Sequence, residues 1–157
     1  FGNSFFDRQL LDRGIDLLKG REAIALNQKV VGPYASQGYV RANPSITGIE
    51  LREAMRKRGH TEAYIIKSDG QFFGKVSIYE VIEAADTTIK DFVDTRPLTL
   101  YSHDSLAEAM VRVSQFVGES LPVVNAETGE LHGSLAEGEL FQAVIDVQDQ
   151  ARGLERT

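Results

Sequence analysis

The period of the apolar residues changes several times along this chain, and each change marks an element. Leu106, Ala109, Met110, Val113 and then Phe116 or Val117 recur every three or four positions, which predicts one face of a helix. Ser105 and Glu108 stand at its start as an S-x-x-E pair, in which a side chain at each end can satisfy a backbone N–H of the first turn. Thr47 and Glu50 repeat that signature ahead of Leu51, Ala54 and Met55, where the basic cluster Arg56, Lys57 and Arg58 interrupts the apolar stripe. Short apolar runs at 63–67 and 121–125 predict strands. Each leads through a glycine-containing turn to a second strand, at 71–76 and 131–135. Helices are expected next, from about Ile78 to Ala85 and from about Glu137 to Val147. Short extended stretches, "YVRA" and "LTLY", precede each set.

The two sets are one pattern written twice. Val31 pairs with Ile89, Tyr34 with Phe92, Val40 with Leu98 and Met55 with Val113 at one constant offset. "SDGQ" then faces "ETGE" with one residue added, and the new offset pairs Gly74 with Gly133 and Glu80 with Glu139. Two copies are too few for a solenoid, but two units that each expose an apolar face can bury those faces together. The predicted class is α+β with α/β-type layers: two β-α-β-β-α repeats, at 31–88 and 89–147, between a leading segment 1–30 and a C-terminal tail 148–157. The leading segment mixes apolar and charged residues around Gly14 and Gly20, which predicts a broken helix or an ordered linker packed on the repeats.

Composition narrows the function. The 157 residues suffice for one ordinary domain or two small ones sharing a core. A formal charge of −6 argues against a nucleic-acid partner, since phosphate binding needs a basic face. The chain has no cysteine, which excludes disulfides, zinc–cysteine sites and thiol catalysis and fits a reducing compartment. No apolar run reaches the ~20 residues of a membrane span, and no signal peptide is visible. The chain opens on Phe1, from which we expect a piece of something longer with a membrane segment upstream. No Ser-His-Asp arrangement, P-loop or zinc spacing points to catalysis. His103 and His132 lack the neighbours a metal site needs, and Glu137 and Glu139 fall on different faces of their helix.

The stretch "GKVSIYEV" carries the sharpest question. Ser77 and Glu80 read either as a capping box that starts a helix or as a hydroxyl–carboxylate pair that holds a ligand. Their counterparts Ala136 and Glu139 lack the hydroxyl. His60 reads as an exposed turn histidine. Arg41, Arg56, Lys57 and Arg58 read as phosphate partners or as a solvated face.

The doubled unit, with "AYII…DGQFFGKVSIYEV" and "LPVV…TGELHGSLAEGEL", resembles a cystathionine-β-synthase-type (CBS) domain pair. "FFDRQLLDRGIDLLKGRE" looks like the linker after the last membrane helix of prokaryotic chloride channels and transporters of the ClC family. Together they imply the cytoplasmic tail of a ClC-type protein, with two copies related by a pseudo-two-fold axis. The module would form a homodimer attached to a membrane-embedded chloride channel domain, and its role would be regulatory, or structural without a ligand. The resemblance also implies ATP, ADP or AMP as ligand in the clefts between copies, with no catalytic residue, metal or resident cofactor. One cleft would use Ser77, Glu80, Thr99, Leu121 and Pro122; the weaker one Val40, His60, Thr61 and Glu139, with the His60 ring implied to stack on a base beside the Thr61 hydroxyl. Both copies carry Glu where the family motif has Asp.

Overall fold

The structure, a computed structural model, describes residues 21–156 with the exception of 115 and 117. Helix α1 (Arg21–Gln28) and a 3-10 turn (Gly32–Tyr34) lead into β1 (Val40–Ala42), α2 (Gly48–Arg58), β2 (Glu62–Ile66), β3 (Phe72–Ser77) and α3 (Ile78–Ala84). A second 3-10 turn (Ile89–Phe92) opens the other copy, with β4 (Leu100–Tyr101), α4 (Leu106–Val113), β5 (Leu121–Val124), β6 (Leu131–Leu135) and α5 (Glu137–Arg156). Each copy holds a three-stranded sheet in sequence order, the first two strands parallel and the last two antiparallel. Both copies thus hold the mixed α and β layers expected of the doubled unit. Gly14 and the remainder of 1–20 lie outside the described residues. No helix among the described residues is long and apolar enough to cross a membrane.

Local chemistry sets the element boundaries. Thr47 closes a full capping box on α2: its hydroxyl accepts from Glu50 N–H at 3.2 Å, and the Glu50 carboxylate accepts from Thr47 N–H at 3.4 Å. Ser105 caps α4 in the same way from one side, accepting from Glu108 N–H at 3.1 Å. The hairpin turns place Gly70 and Gly129 at φ of +90° and +75°, where a side chain would be strained.

Three boundaries differ from the sequence expectation by two residues or more. β4 is only Leu100–Tyr101, not the whole of "LTLY". Its parallel partner β5 carries Pro122 where β2 carries Tyr64, and proline has no N–H to give to a ladder. Helix α4 stops at Val113, before Phe116. Helix α5 continues past Val147 to Arg156, because Val147 and Ala151 are still buried, and it packs against α1.

The two copies exchange their leading segments. Val30 bridges to Ser105 and Ser36 to Ser134, so 30–36 lies on the second copy. Thr88 bridges to Thr47 and Lys75 to Asp94, so 88–94 lies on the first. The cores follow suit. Leu26 and Val31 belong to the cluster of Leu106, Leu121, Leu135 and Leu140, and Ile89 belongs to that of Leu51, Met55, Ile65 and Val81. Gly74 and Gly133 make the crossings possible. A Cβ on Gly74 would stand 2.3 Å from Asp94 O, and one on Gly133 2.8 Å from Ser36 O.

This exchange has a measurable consequence. Fragments 31–88 and 89–147 are each expected to melt without a cooperative transition, since each carries the other's crossing segment and neither buries a full core. Circular dichroism should show a sigmoidal melt only when the two are mixed; a cooperative melt of either alone would contradict the coupling.

Candidate functional site

The exchange leaves two cavities between the copies, built from repeat-equivalent positions. One is about 330 Å³ and is lined by Glu62, Lys75, Val76, Ser77, Glu80, Asp94, Pro97, Leu98 and Phe116. The other is about 100 Å³, with Ser134, Ala136 and Glu139 at the positions of Lys75, Ser77 and Glu80. The difference in size comes from two rings. Tyr39 and Tyr64, 5.1 Å apart between centroids, fill the smaller cavity, whereas prolines 97 and 122 stand at their positions in the other copy. Ligand cavities begin at about 300 Å³, so of these two the Ser77 cleft is the one with room for a drug-sized molecule.

At the mouth of that cleft Ser77 starts α3. Its N–H and its hydroxyl both donate to Glu80 Oε1, at 3.2 and 2.9 Å, so the capping box is closed chiefly from the Glu80 side. Ser77 and Glu80 therefore cap a helix, and both also line the cavity. In the other copy Glu139 accepts from Ala136 N–H at 2.9 Å, and no hydroxyl joins it.

The polar wall of the cleft is formed by residues the sequence did not single out. Lys75 is only 9% exposed. Its ammonium donates to Ser120 O at 2.6 Å, pairs with Glu62 Oε1 at 2.9 Å and lies 4.8 Å from the Phe116 ring centroid. Glu62 Oε1 also accepts the N–H groups of Glu119 and Ser120, at 2.7 and 3.2 Å. The signal for the pair is the β2–β3 register. Tyr64 sits opposite Lys75, which makes Glu62 its diagonal neighbour on the same face.

Glu119 returns the contact from the second copy. One carboxylate oxygen takes the imidazole Nδ1 of His60, and the other accepts from the N–H and hydroxyl of Thr61, each at 2.9 Å. Burial pushes the Glu119 carboxyl up, but the hydrogen bonds from His60 and Thr61 outweigh it and hold the group below its ordinary value of 4.5. Tyr64 and Ser120 share a 2.5 Å hydrogen bond on the same seam, and burial drives the Tyr64 phenol well above its usual range.

The predicted site residues divide accordingly. Ser77 and Glu80 line the larger cleft, and His60 and Glu139 the smaller. Thr99 instead faces an adjoining hollow with Arg96, Tyr101 and Arg112, and its hydroxyl donates to Pro97 O. Leu121 is fully buried in the second core and Pro122 is buried in β5, so neither lines the cleft. Val40 is likewise a core residue, 3% exposed, because the pleat turns its neighbour Tyr39 to the smaller cavity. Thr61 serves Glu119. His60 is half-buried rather than exposed: it lines the smaller cavity, and its Nδ1 meets the Glu119 carboxylate. Arg56 pairs with Glu53 at 2.6 Å on the exposed face of α2, and Arg41 is exposed in β1. His132 contacts Gly32 O at 3.0 Å, and His103 stacks on Tyr101.

The CBS domain family model matches residues 89–146, which is the second copy. No curated protein matches the chain. Solved structures share the fold at low identity. A CBS domain pair/ACT domain protein from Thermotoga maritima is 21% identical, over 74% of this chain and 97% of its own, with a TM-score of 0.67. The CBS-pair protein CBSX2 from Arabidopsis thaliana is 20% identical, over 77% and 97%, also at 0.67; CBSX2 is also solved in complex with AMP. The cytosolic domain of the Mg2+ channel MgtE in complex with ATP is 21% identical, over 84% and 58%, at 0.66.

Two substitutions probe the wall of the cleft. Lys75→Met is expected to cost about 3 kcal/mol in denaturant unfolding, because it leaves the Glu62 carboxylate buried without its cation. Adding Glu62→Gln should recover part of that loss, and an additive double mutant would refute the coupling.

Glu119 sets a pH dependence. Its folded-state value is depressed, so its contribution is complete above about pH 4.5 and is lost as the pH falls below that. Glu119→Gln should therefore lower stability at pH 7 and flatten the acid limb of the stability profile. An unchanged acid limb would show that the His60–Glu119–Thr61 seam contributes nothing.

Proposed function

We propose that this chain is the regulatory CBS pair of a membrane transport protein, acting at the cytoplasmic face and responding to an adenine nucleoside or nucleotide in the Ser77 cleft. The observation that carries the reading is the cleft itself. It offers about 330 Å³ bounded by both copies, and its lining includes Glu80 together with the apolar Pro97, Leu98 and Phe116. Apolar walls suit a purine face, and a carboxylate can accept two hydrogen bonds from a ribose diol. A ligand that touches both copies would bias how they sit against each other, which is what a regulatory module needs. AMP bound to CBSX2 and ATP bound to the MgtE cytosolic domain support the ligand class. The attached transporter is proposed to be a ClC-type chloride channel or exchanger. The resemblance of residues 5–22 supports that choice, and the chain would then assemble as a homodimer.

A second reading has its own support. Lys75, Glu62, His60 and Glu119 already satisfy one another, and among the described residues no buried side-chain polar atom lacks a hydrogen-bond partner. That arrangement also suits a structural module without a ligand, whose exposed Ile49, Tyr79 and Ile82 on α2 and α3 would serve assembly.

A thermal-shift screen with ATP, ADP, AMP and adenosine separates the two readings. A ligand at ~100 times its dissociation constant should stabilise the chain by about 2.7 kcal/mol, and Glu80→Gln should weaken its binding by about 1.5–3 kcal/mol. No shift with any of the four, together with a stable dimer by light scattering, is the outcome the structural reading requires.

A further inference from the structure

We infer that the Ser77 cleft selects a nucleoside whose 5′ substituent is neutral or cationic and discriminates against nucleoside phosphates; the inference rests on the reading that an adenine nucleoside occupies this cleft. It comes from the charges on the cavity wall. Glu62, Glu80 and Asp94 all line the cavity, against one ammonium, that of Lys75. The wall therefore carries a formal surplus of two negative charges.

Lys75 is committed elsewhere. An ammonium has three protons to donate, and here one goes to Ser120 O and another to Glu62, while the Phe116 ring flanks the group. Turning it toward a phosphate would leave Glu62 unpaired beside the two backbone N–H groups it holds. Among the described residues no other basic side chain lines the cavity. Arg96 and Arg112 line the adjoining hollow, where Arg112 lies 3.7 Å from Asp104 and 5.8 Å from the Tyr101 ring. Glu80 and Asp94 are thus left without a cation among the lining residues. Asp94 is held in place by its backbone pairing to Lys75 and by the Arg96 N–H on its carboxylate at 2.9 Å. It sits in the crossing segment, so the charge that sets the preference is delivered to the first copy's cleft by the second copy's leading residues.

The test is titration calorimetry on the whole chain with three probes of similar shape: adenosine, 5′-amino-5′-deoxyadenosine and AMP, without divalent cations. At low salt AMP should bind at least about 10-fold more weakly than adenosine, and the amino nucleoside at least as tightly as adenosine. Raising the salt from about 0.05 to 0.5 M should narrow both differences, since a wall charge near the cleft mouth is screened. Asp94→Asn should raise the AMP-to-adenosine affinity ratio by about 3- to 10-fold. If AMP binds as tightly as adenosine, or Asp94→Asn leaves the ratio unchanged, the charge selectivity is wrong while the nucleoside reading stands. If none of the three binds, the nucleoside reading itself falls and the selectivity with it.

Discussion

At the centre of the molecule the strand starts of the two copies meet end to end, and each brings backbone N–H groups that their own sheets do not satisfy. Glu62 accepts from Glu119 and Ser120 of the second copy; Glu119 accepts from Thr61 and contacts His60 of the first. A buried donor without a partner costs roughly 1–3 kcal/mol, so this reciprocal exchange makes the approach of the two copies tolerable. Both cavities are consequences of it. They are the spaces left on either side of a seam whose width is fixed by two carboxylates.

The seam is not symmetric in chemistry, although it is in position. On one side Lys75 balances Glu62, and two prolines leave room. On the other, Ser134 replaces the lysine and two tyrosine rings occupy the volume. One scaffold thus yields an open, acidic cleft and a nearly filled one. The first has room for a ligand, and the second contributes aromatic packing to the joint.

The repeat was legible because the same glycines, apolar runs and capping pairs recur at one offset. Sequence similarity between copies does not say which copy a leading segment packs on, so the exchange of 30–36 and 88–94 was hidden. It is decided by Gly74 and Gly133, whose missing side chains matter only once a second backbone lies across them. Ser77 and Glu80 were recognisable because they are adjacent on one helix turn. Lys75 and Glu62 were not, since their contact depends on a hairpin register and a lysine in a strand reads as solvent-facing. Leu121, Pro122 and Val40 failed as cleft residues for the opposite reason. They stand at the right positions in the chain, but their side chains are buried in the cores or within the sheet.

The crossing of residues 30–36 also fixes how force enters the molecule. A pull or twist applied to the chain at α1 does not load the copy that follows it in sequence. It is carried by Val31 and Leu26 into the core beneath α4 and α5, and by Ser36 into β6. From there it reaches the first copy through the central seam, the returning segment 88–94, the paired hairpin turns at Gln71 and Glu130, and the short connection from Ser36 to β1. The Ser77 cleft borders that returning segment, since Asp94 and Ser77 both line it. A load on α1 is thus received first by the second copy, and the Ser77 cleft is bounded by the same segment that ties that copy back to the first.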